Sequence, residues 1–162
     1  MHGAMRVLGI DPGFDRLGLA VIEGDASSPL YLWSECVIPP KGTPDVRLAA
    51  VYEAVSLAIT EYAPDQVALE TLFFSTNKKT AIGVAEARGA VLSAAGAAGI
   101  LVSEHSPGTV KLAVTGSGRA DKRAVALMIP KLISLPPKKR LDDEFDALAV
   151  AICALSTRGR LR

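Results

Sequence analysis

Apolar positions recur along the first quarter of the chain at the spacing of strands, and beyond it mostly at the spacing of helices. Val7-Leu8-Gly9-Ile10 is a short apolar run that stops abruptly at Asp11-Pro12-Gly13. The run reads as a buried strand, about Arg6 to Asp11, delivering the aspartate to its C-terminal end. Pro12 interrupts ladder hydrogen bonding there and Gly13 permits a tight turn. A second run, Leu17 to Glu23, follows at hairpin spacing. The turn cluster Gly24 to Pro29 leads into a third strand, Leu30 to Pro39, in which Tyr31, Trp33, Val37 and Ile38 supply β-formers. The chain therefore opens as a three-stranded antiparallel meander.

The period then changes. Leu48, Val51, Tyr52, Val55 and Ile59 recur at 3 and 4 spacing behind Thr43-Pro44-Asp45, which predicts a helix from Thr43 to just before Pro64. Gln66 to Leu69 is a short strand that again ends in a carboxylate, Glu70, and Thr71 to Lys79 is a loop. A second helix is predicted over Thr80 to Ala95, with Ala81, Val84, Ala85, Arg88, Gly89 and Leu92 on one face. Small residues there allow close approach of another helix, in a second subunit or in the same chain. Gly99 to Glu104 predicts the fifth strand, Ser106-Pro107 to Val114 a short helix, and Asp121 to Leu132 another. The last helix is predicted over Asp143 to Leu155, with Phe145, Leu148, Ala149 and Ile152 on its apolar face. The sum is an α/β chain: a mixed five-stranded sheet, three antiparallel strands and then parallel ones, flanked by helices. It reads as one domain over 1–155 and a basic tail over 156–162.

Composition changes this picture little, and the distribution of charge changes it more. The 162 residues suffice for one sizeable core. Net charge is +1, but residues 1–105 hold 7 Lys/Arg against 12 Asp/Glu, and residues 106–162 hold 11 against 5. A basic last third beside an acidic remainder fits a phosphate-meeting surface next to a cation site, or else a chance asymmetry of solvated faces. The two cysteines, Cys36 and Cys153, sit in apolar contexts without metal-ligand spacing. That argues against zinc and for reduced thiols in a cytoplasmic protein. Neither a signal-peptide core nor an uncharged membrane-length run is present.

The chemistry lies in the carboxylates. If the strands ending in Asp11 and Glu70 are adjacent and parallel, both side chains emerge at one sheet edge, where α/β sites lie. Asp143 and Asp146 are three apart and project from one helical face; Asp142, four from Asp146, is also feasible. Each has a blander role: Asp142, Asp143 and Glu144 suit the first turn of a helix, and Glu70 suits a loop. Asp146 is harder to explain so, because it interrupts an apolar segment where an unpartnered charge is costly. Four carboxylates together repel unless cations neutralise them, and all-oxygen donors favour Mg²⁺ or Mn²⁺. Two such ions about 4 Å apart activate water against a phosphodiester.

Several segments in order also carry a resemblance: Gly9-Ile10-Asp11-Pro12-Gly13, Leu69-Glu70 with Phe73, Ala87-Arg88-Gly89, Val110-Lys111 with Thr115-Gly116 and Lys122, and Asp143-Glu144-Phe145-Asp146-Ala147-Leu148-Ala149. From about Met5 to Leu155 the chain resembles the RuvC family of bacterial Holliday-junction resolvases, in the ribonuclease H-like superfamily. The resemblance implies a homodimer that nicks two strands of like polarity in a four-way DNA junction, leaving ligatable 5′-phosphate and 3′-hydroxyl ends. It implies partnership with the branch-migration proteins RuvA and RuvB. By the same resemblance Asp11, Glu70, Asp143 and Asp146 are the catalytic metal ligands, and Phe73, with Phe74 beside it, meets unstacked bases. Lys111 and Lys122 engage DNA, and the helix holding Arg88 and Gly89 pairs the subunits. Some relatives carry histidine where this chain has Asp143. His105 is expected to follow the fifth strand without a catalytic role. Lys138-Lys139-Arg140 is expected to add a phosphate clamp. The rival readings are a junction binder without cleavage and a relative acting on structured RNA. An actin-type ATPase would need a second lobe that this length does not supply.

Overall fold

Alternation within the first strand decides the layout. In β1 (Met5–Asp11), Leu8 and Ile10 point into one core and Val7 into another, so Asp11 continues the row of Val7 and Gly9. The computed structural model describes residues 3–72 and 78–157. β1 is followed by β2 (Leu17–Gly24), β3 (Leu30–Val37), α1 (Pro44–Tyr62), β4 (Gln66–Glu70), α2 (Lys78–Ala97), β5 (Leu101–His105), α3 (Pro107–Thr115), α4 (Lys122–Leu132) and α5 (Asp142–Thr157). The sheet order is β3-β2-β1-β4-β5. β1 pairs antiparallel with β2 and parallel with β4; β2–β3 is antiparallel and β4–β5 parallel. The expected mixed sheet is present, with β1 at the point where strand direction changes.

Helices cover both faces. α1 and α2 bury Val51, Val55, Val91 and Ala95 against Leu8, Ile10, Leu19 and Leu69. On the opposite face α5 lies directly on the sheet, with α3 and α4 outside it. Sandwiched in this way, α5 is buried continuously from Ala147 to Leu155 rather than along one stripe.

Boundaries shift where local chemistry requires it. β3 stops at Val37, because Pro39 and Pro40 cannot donate to a ladder. β5 starts at Leu101, since Gly99 sits at φ +68° in the reversal after α2. His105 therefore ends β5 instead of following it. Asp121 caps α4 by accepting from the Ala124 amide at 2.7 Å, so the helix proper begins at Lys122. α5 runs on to Thr157, two residues into the expected tail. The buried face of α2 is Ala87, Val91, Ala94 and Ala95; the stripe expected to meet another helix is largely left outside it, with Leu92 37% exposed and Gly89 facing open space.

Candidate active site

Strand register carries the first two carboxylates together. Ile10 pairs with Leu69, so the next residues, Asp11 and Glu70, end adjacent parallel strands on the face that α5 covers. The third and fourth come from α5, which is admitted to backbone contact by two glycines. A Cβ on Gly9 would stand 2.2 Å from the Ala147 carbonyl oxygen, and one on Gly18 would stand 2.0 Å from that of Asp143. Gly18 is the β2 partner of Asp11. The first turn of α5 thus rests on the strand pair that presents Asp11.

A cleft of about 310 Å³ opens there, lined by Asp11, Glu70, Asp146, Lys111 and Lys122. Asp143 stands on its other side, at the end of a groove of about 690 Å³ that runs past Phe14 and Arg16 to the first turns of α2. Lys122 Nζ is 3.1 Å from Asp146 Oδ2, and Arg16 Nη1 is 3.5 Å from Asp143 Oδ2. Burial, reinforced by the charges of Asp146, Asp143 and Glu70, pushes the Asp11 carboxyl up to about 8. Burial also raises Glu70, with Asp146 adding to it against the pull of Lys111 and Lys122. Asp146 is raised by burial in spite of its bond to Lys122. Burial holds His105, next to Glu70 in the β5 ladder, below its ordinary value, and its Nε2 lies 3.0 Å from Ser103 Oγ.

This donor set suits a hard divalent cation: oxygen only, and too many carboxylates for the positive charge around them. Among the described residues no three Asp, Glu, His or Cys side chains are gathered into a ligand shell as they stand, and Lys122 and Arg16 neutralise Asp146 and Asp143 instead. The residues therefore fit such an ion by chemistry and by shared location. Asp143 pairs with Arg16 and its charge bears on Asp11, whereas Asp142 lines a neighbouring hollow with Lys122 and Asp146.

Comparison with known proteins settles the family. The family model described as crossover junction endodeoxyribonuclease RuvC matches residues 7–154. The chain belongs to this family. A crossover junction endodeoxyribonuclease RuvC from Syntrophomonas wolfei is 43% identical over 152 residues, covering 93% of this chain and 88% of that protein. The structure of Thermus thermophilus RuvC superposes with a TM-score of 0.85 at 36% identity, covering 96% of this chain and 97% of that one. The same protein in complex with a Holliday junction substrate gives 0.85 at 36% identity over 92% of each chain. The fold is the ribonuclease H-like one. The family is one of nucleases that hydrolyse DNA phosphodiester bonds.

Of the residues singled out by sequence, Asp11, Glu70, Asp146, Lys111 and Lys122 line one cleft, and Asp143 adjoins it. Phe73 and Phe74 lie outside the described residues. Two members of the expected Lys138-Lys139-Arg140 phosphate clamp are engaged within the chain, while Lys139 is exposed. The Arg140 side chain is 4% exposed and lies 4.0 Å from Glu144, and Lys138 Nζ is 3.0 Å from the same carboxylate. A buried acid, Glu144, turns these cations inward. Sequence reasoning also passed over Arg16, Glu144 and the inward role of Arg88. The Arg88 side chain donates to the Glu70 carbonyl at 2.9 Å and pairs with Glu104. Its isolation in a helix of small residues was the available signal.

Proposed function

We propose that this chain resolves four-way Holliday junctions by metal-dependent, symmetric nicking of two strands of like polarity. The products carry 5′-phosphate and 3′-hydroxyl ends that a ligase can seal, as homologous recombination and DNA repair require. The observation that carries the reading is the convergence of Asp11, Glu70 and Asp146 on one cleft with Lys111 and Lys122, and with Asp143 at its edge. A homologous protein of the same fold is described in complex with a Holliday junction substrate, which supports the choice of DNA.

Asp11, Glu70, Asp143 and Asp146 would hold Mg²⁺, or Mn²⁺ in its place, as two ions per site. Bound there, the ions supply Lewis-acid activation of water and charge neutralisation at the phosphate. Lys111 and Lys122 orient the scissile phosphate, and Lys122 exchanges its bond to Asp146 for the DNA. Val110, Val125 and Ile10 give the cleft apolar walls beside these groups. Phe73 and Phe74 support bases unstacked at the crossover, a contact worth about 1–3 kcal/mol per base.

Two nicks of like polarity need two copies related by a two-fold axis. The outward stripe of α2, where Gly89 and Gly96 face open space and Leu92 is exposed, supports a homodimer formed on that helix. RuvA and RuvB are the proposed motor partners. The nuclease domain is taken to extend through the end of α5 at Thr157, two residues past the expected 1–155, leaving a basic sequence over 158–162. Among the described residues no helix is long and apolar enough to cross a membrane, and the thiols of Cys36 and Cys153 are free; both fit a cytoplasmic site of action.

The test is cleavage of a labelled synthetic junction with Mg²⁺, Mn²⁺ or chelator, comparing wild type with Asp11→Asn and Asp146→Asn, alongside linear duplex and an RNA hairpin. Paired nicks confined to the junction, lost with chelator and in both variants while binding persists, are expected. Binding without cleavage in either metal would make the chain a structural module, and cleavage of the RNA alone would reject the substrate.

A further inference from the structure

We propose that Glu144, with Ser34, Lys138 and Arg140, forms a tether that sets the first turn of α5 and thereby positions Asp143 and Asp146. The inference rests on the metal-dependent reading above and adds to it the device that aligns two of the four ligands.

Glu144 lies between those two aspartates and is 4% exposed, the reverse of what an acid in a solvent-facing first turn would be. Its Oε1 accepts from Ser34 Oγ at 2.9 Å and from Lys138 Nζ at 3.0 Å, with Arg140 Nε at 4.0 Å. Lys138 also donates to the Ser34 carbonyl at 2.6 Å. Tyr31 OH is 3.1 Å from Ser34 Oγ, and the Arg140 guanidinium lies over the Tyr31 ring at 5.4 Å. Arg140 Nη1 closes the loop on itself through the carbonyls of Pro136 and Lys138. Strand β3, the 136–140 segment and the start of α5 are therefore joined at one carboxylate.

Two physical facts make this a matter of position. Buried ion pairs contribute little net stability compared with well-packed apolar residues, but they fix one geometry. In addition, the turn they hold is under load. Asp143 and Asp146 stand at the end of α5 whose charges bear on Asp11, and the repulsion that Arg16 and Lys122 leave uncompensated works against close seating of the turn. Glu144 is held from the other side of the same turn by Ser34 of β3 and by Lys138, which itself donates to the Ser34 carbonyl, so the tether fastens the first turn of α5 to the sheet against that repulsion. Aspartate side chains are short, and a shift of the turn passes undiminished to both carboxylates.

The experiment measures Mn²⁺ binding by calorimetry without DNA, single-turnover junction nicking against Mn²⁺ concentration, junction affinity in chelator, and melting temperature. The proteins are wild type, Glu144→Gln, Lys138→Met and Lys138→Arg. Lys138 is 42% exposed, so its variants fold whatever becomes of Glu144→Gln. Expected for Glu144→Gln and Lys138→Met are Mn²⁺ affinity and saturated nicking rate each lowered about 10-fold, with junction affinity held within about 2-fold. Lys138→Arg restores both. A merely structural tether would lower the melting temperature and leave Mn²⁺ affinity and rate within 2-fold of wild type, and that result overturns the inference. Failure of the wild type itself to bind Mn²⁺ or nick the junction would overturn the function on which it rests.

Discussion

Replacing Gly18 by alanine adds one methyl where none fits. Its Cβ would stand 2.0 Å from the Asp143 carbonyl oxygen and 2.6 Å from the carbonyl carbon, whereas real Cβ contacts essentially never fall below 3.0 Å. Both sides of the clash are backbone, one in a paired strand and one in a helix, so no rotamer relieves it. The first turn of α5 must withdraw by at least about 1 Å, the difference between those distances. Overpacking of this kind costs about 1–3 kcal/mol, only partly offset by the roughly 0.4–1 kcal/mol an alanine gains through the unfolded chain. The larger effect falls on chemistry: a 1 Å misplacement of reacting groups costs on the order of 10²-fold in rate. Gly9→Ala is the control. Its Cβ meets the Ala147 carbonyl oxygen at 2.2 Å and the Ala151 Cβ at 2.8 Å, deeper along the buried helix. It is expected to lose more stability and proportionally less activity. The assay pairs single-turnover junction nicking in saturating Mg²⁺ with urea unfolding. Nicking by Gly18→Ala within threefold of wild type would refute the argument that glycine at this position seats the ligand turn.

Two further outcomes follow from the charges. Because the folded-state carboxyl of Asp11 lies near 8, above the ordinary 3.8, the folded protein holds a proton that the unfolded chain has released across that interval. In chelator, stability therefore falls as pH rises from about 4 to about 8, and Asp11→Asn flattens that slope and raises the melting temperature at pH 8; an unchanged slope in the variant would contradict the assignment. Lys122→Ala removes a cation that lies 3.1 Å from Asp146 and is 65% exposed. It is expected to reduce the salt dependence of junction binding by about one unit of log–log slope and to slow nicking, and an unaltered slope in a salt titration would show that Lys122 does not meet phosphate.

Much of the fold is legible in the sequence because its signals are local. The apolar run before Asp11, the change to helical spacing after Thr43 and the cap at Ser106 each act within a few residues, and each element forms within a residue or two of where they indicate. Four carboxylates were legible for the same reason, two at strand ends and two at helical spacing. What could not be read depended on partners distant in the chain. Lys138 and Arg140 look like a solvated basic run until Glu144 and Ser34, the latter more than 100 residues away, are brought beside them. Arg16 looks like a turn residue until α5 carries Asp143 to it across 127 positions. Which face of α2 turns inward could not be decided because alanine and glycine recur all along it, so periodicity carries little contrast.

The placement of Asp11 depends finally on counting. β1 supplies both cores from alternate residues, Leu8 and Ile10 to one and Val7 to the other, and Asp11 inherits its side of the sheet from that parity. Loss or gain of a single residue within the strand would invert the row, sending the carboxylate beneath α1 and α2 and two large apolar side chains toward the cleft. The length of this segment is thus as strict a requirement as its composition. Substitutions there are judged by volume and polarity, but insertions and deletions are judged by whether they are even or odd.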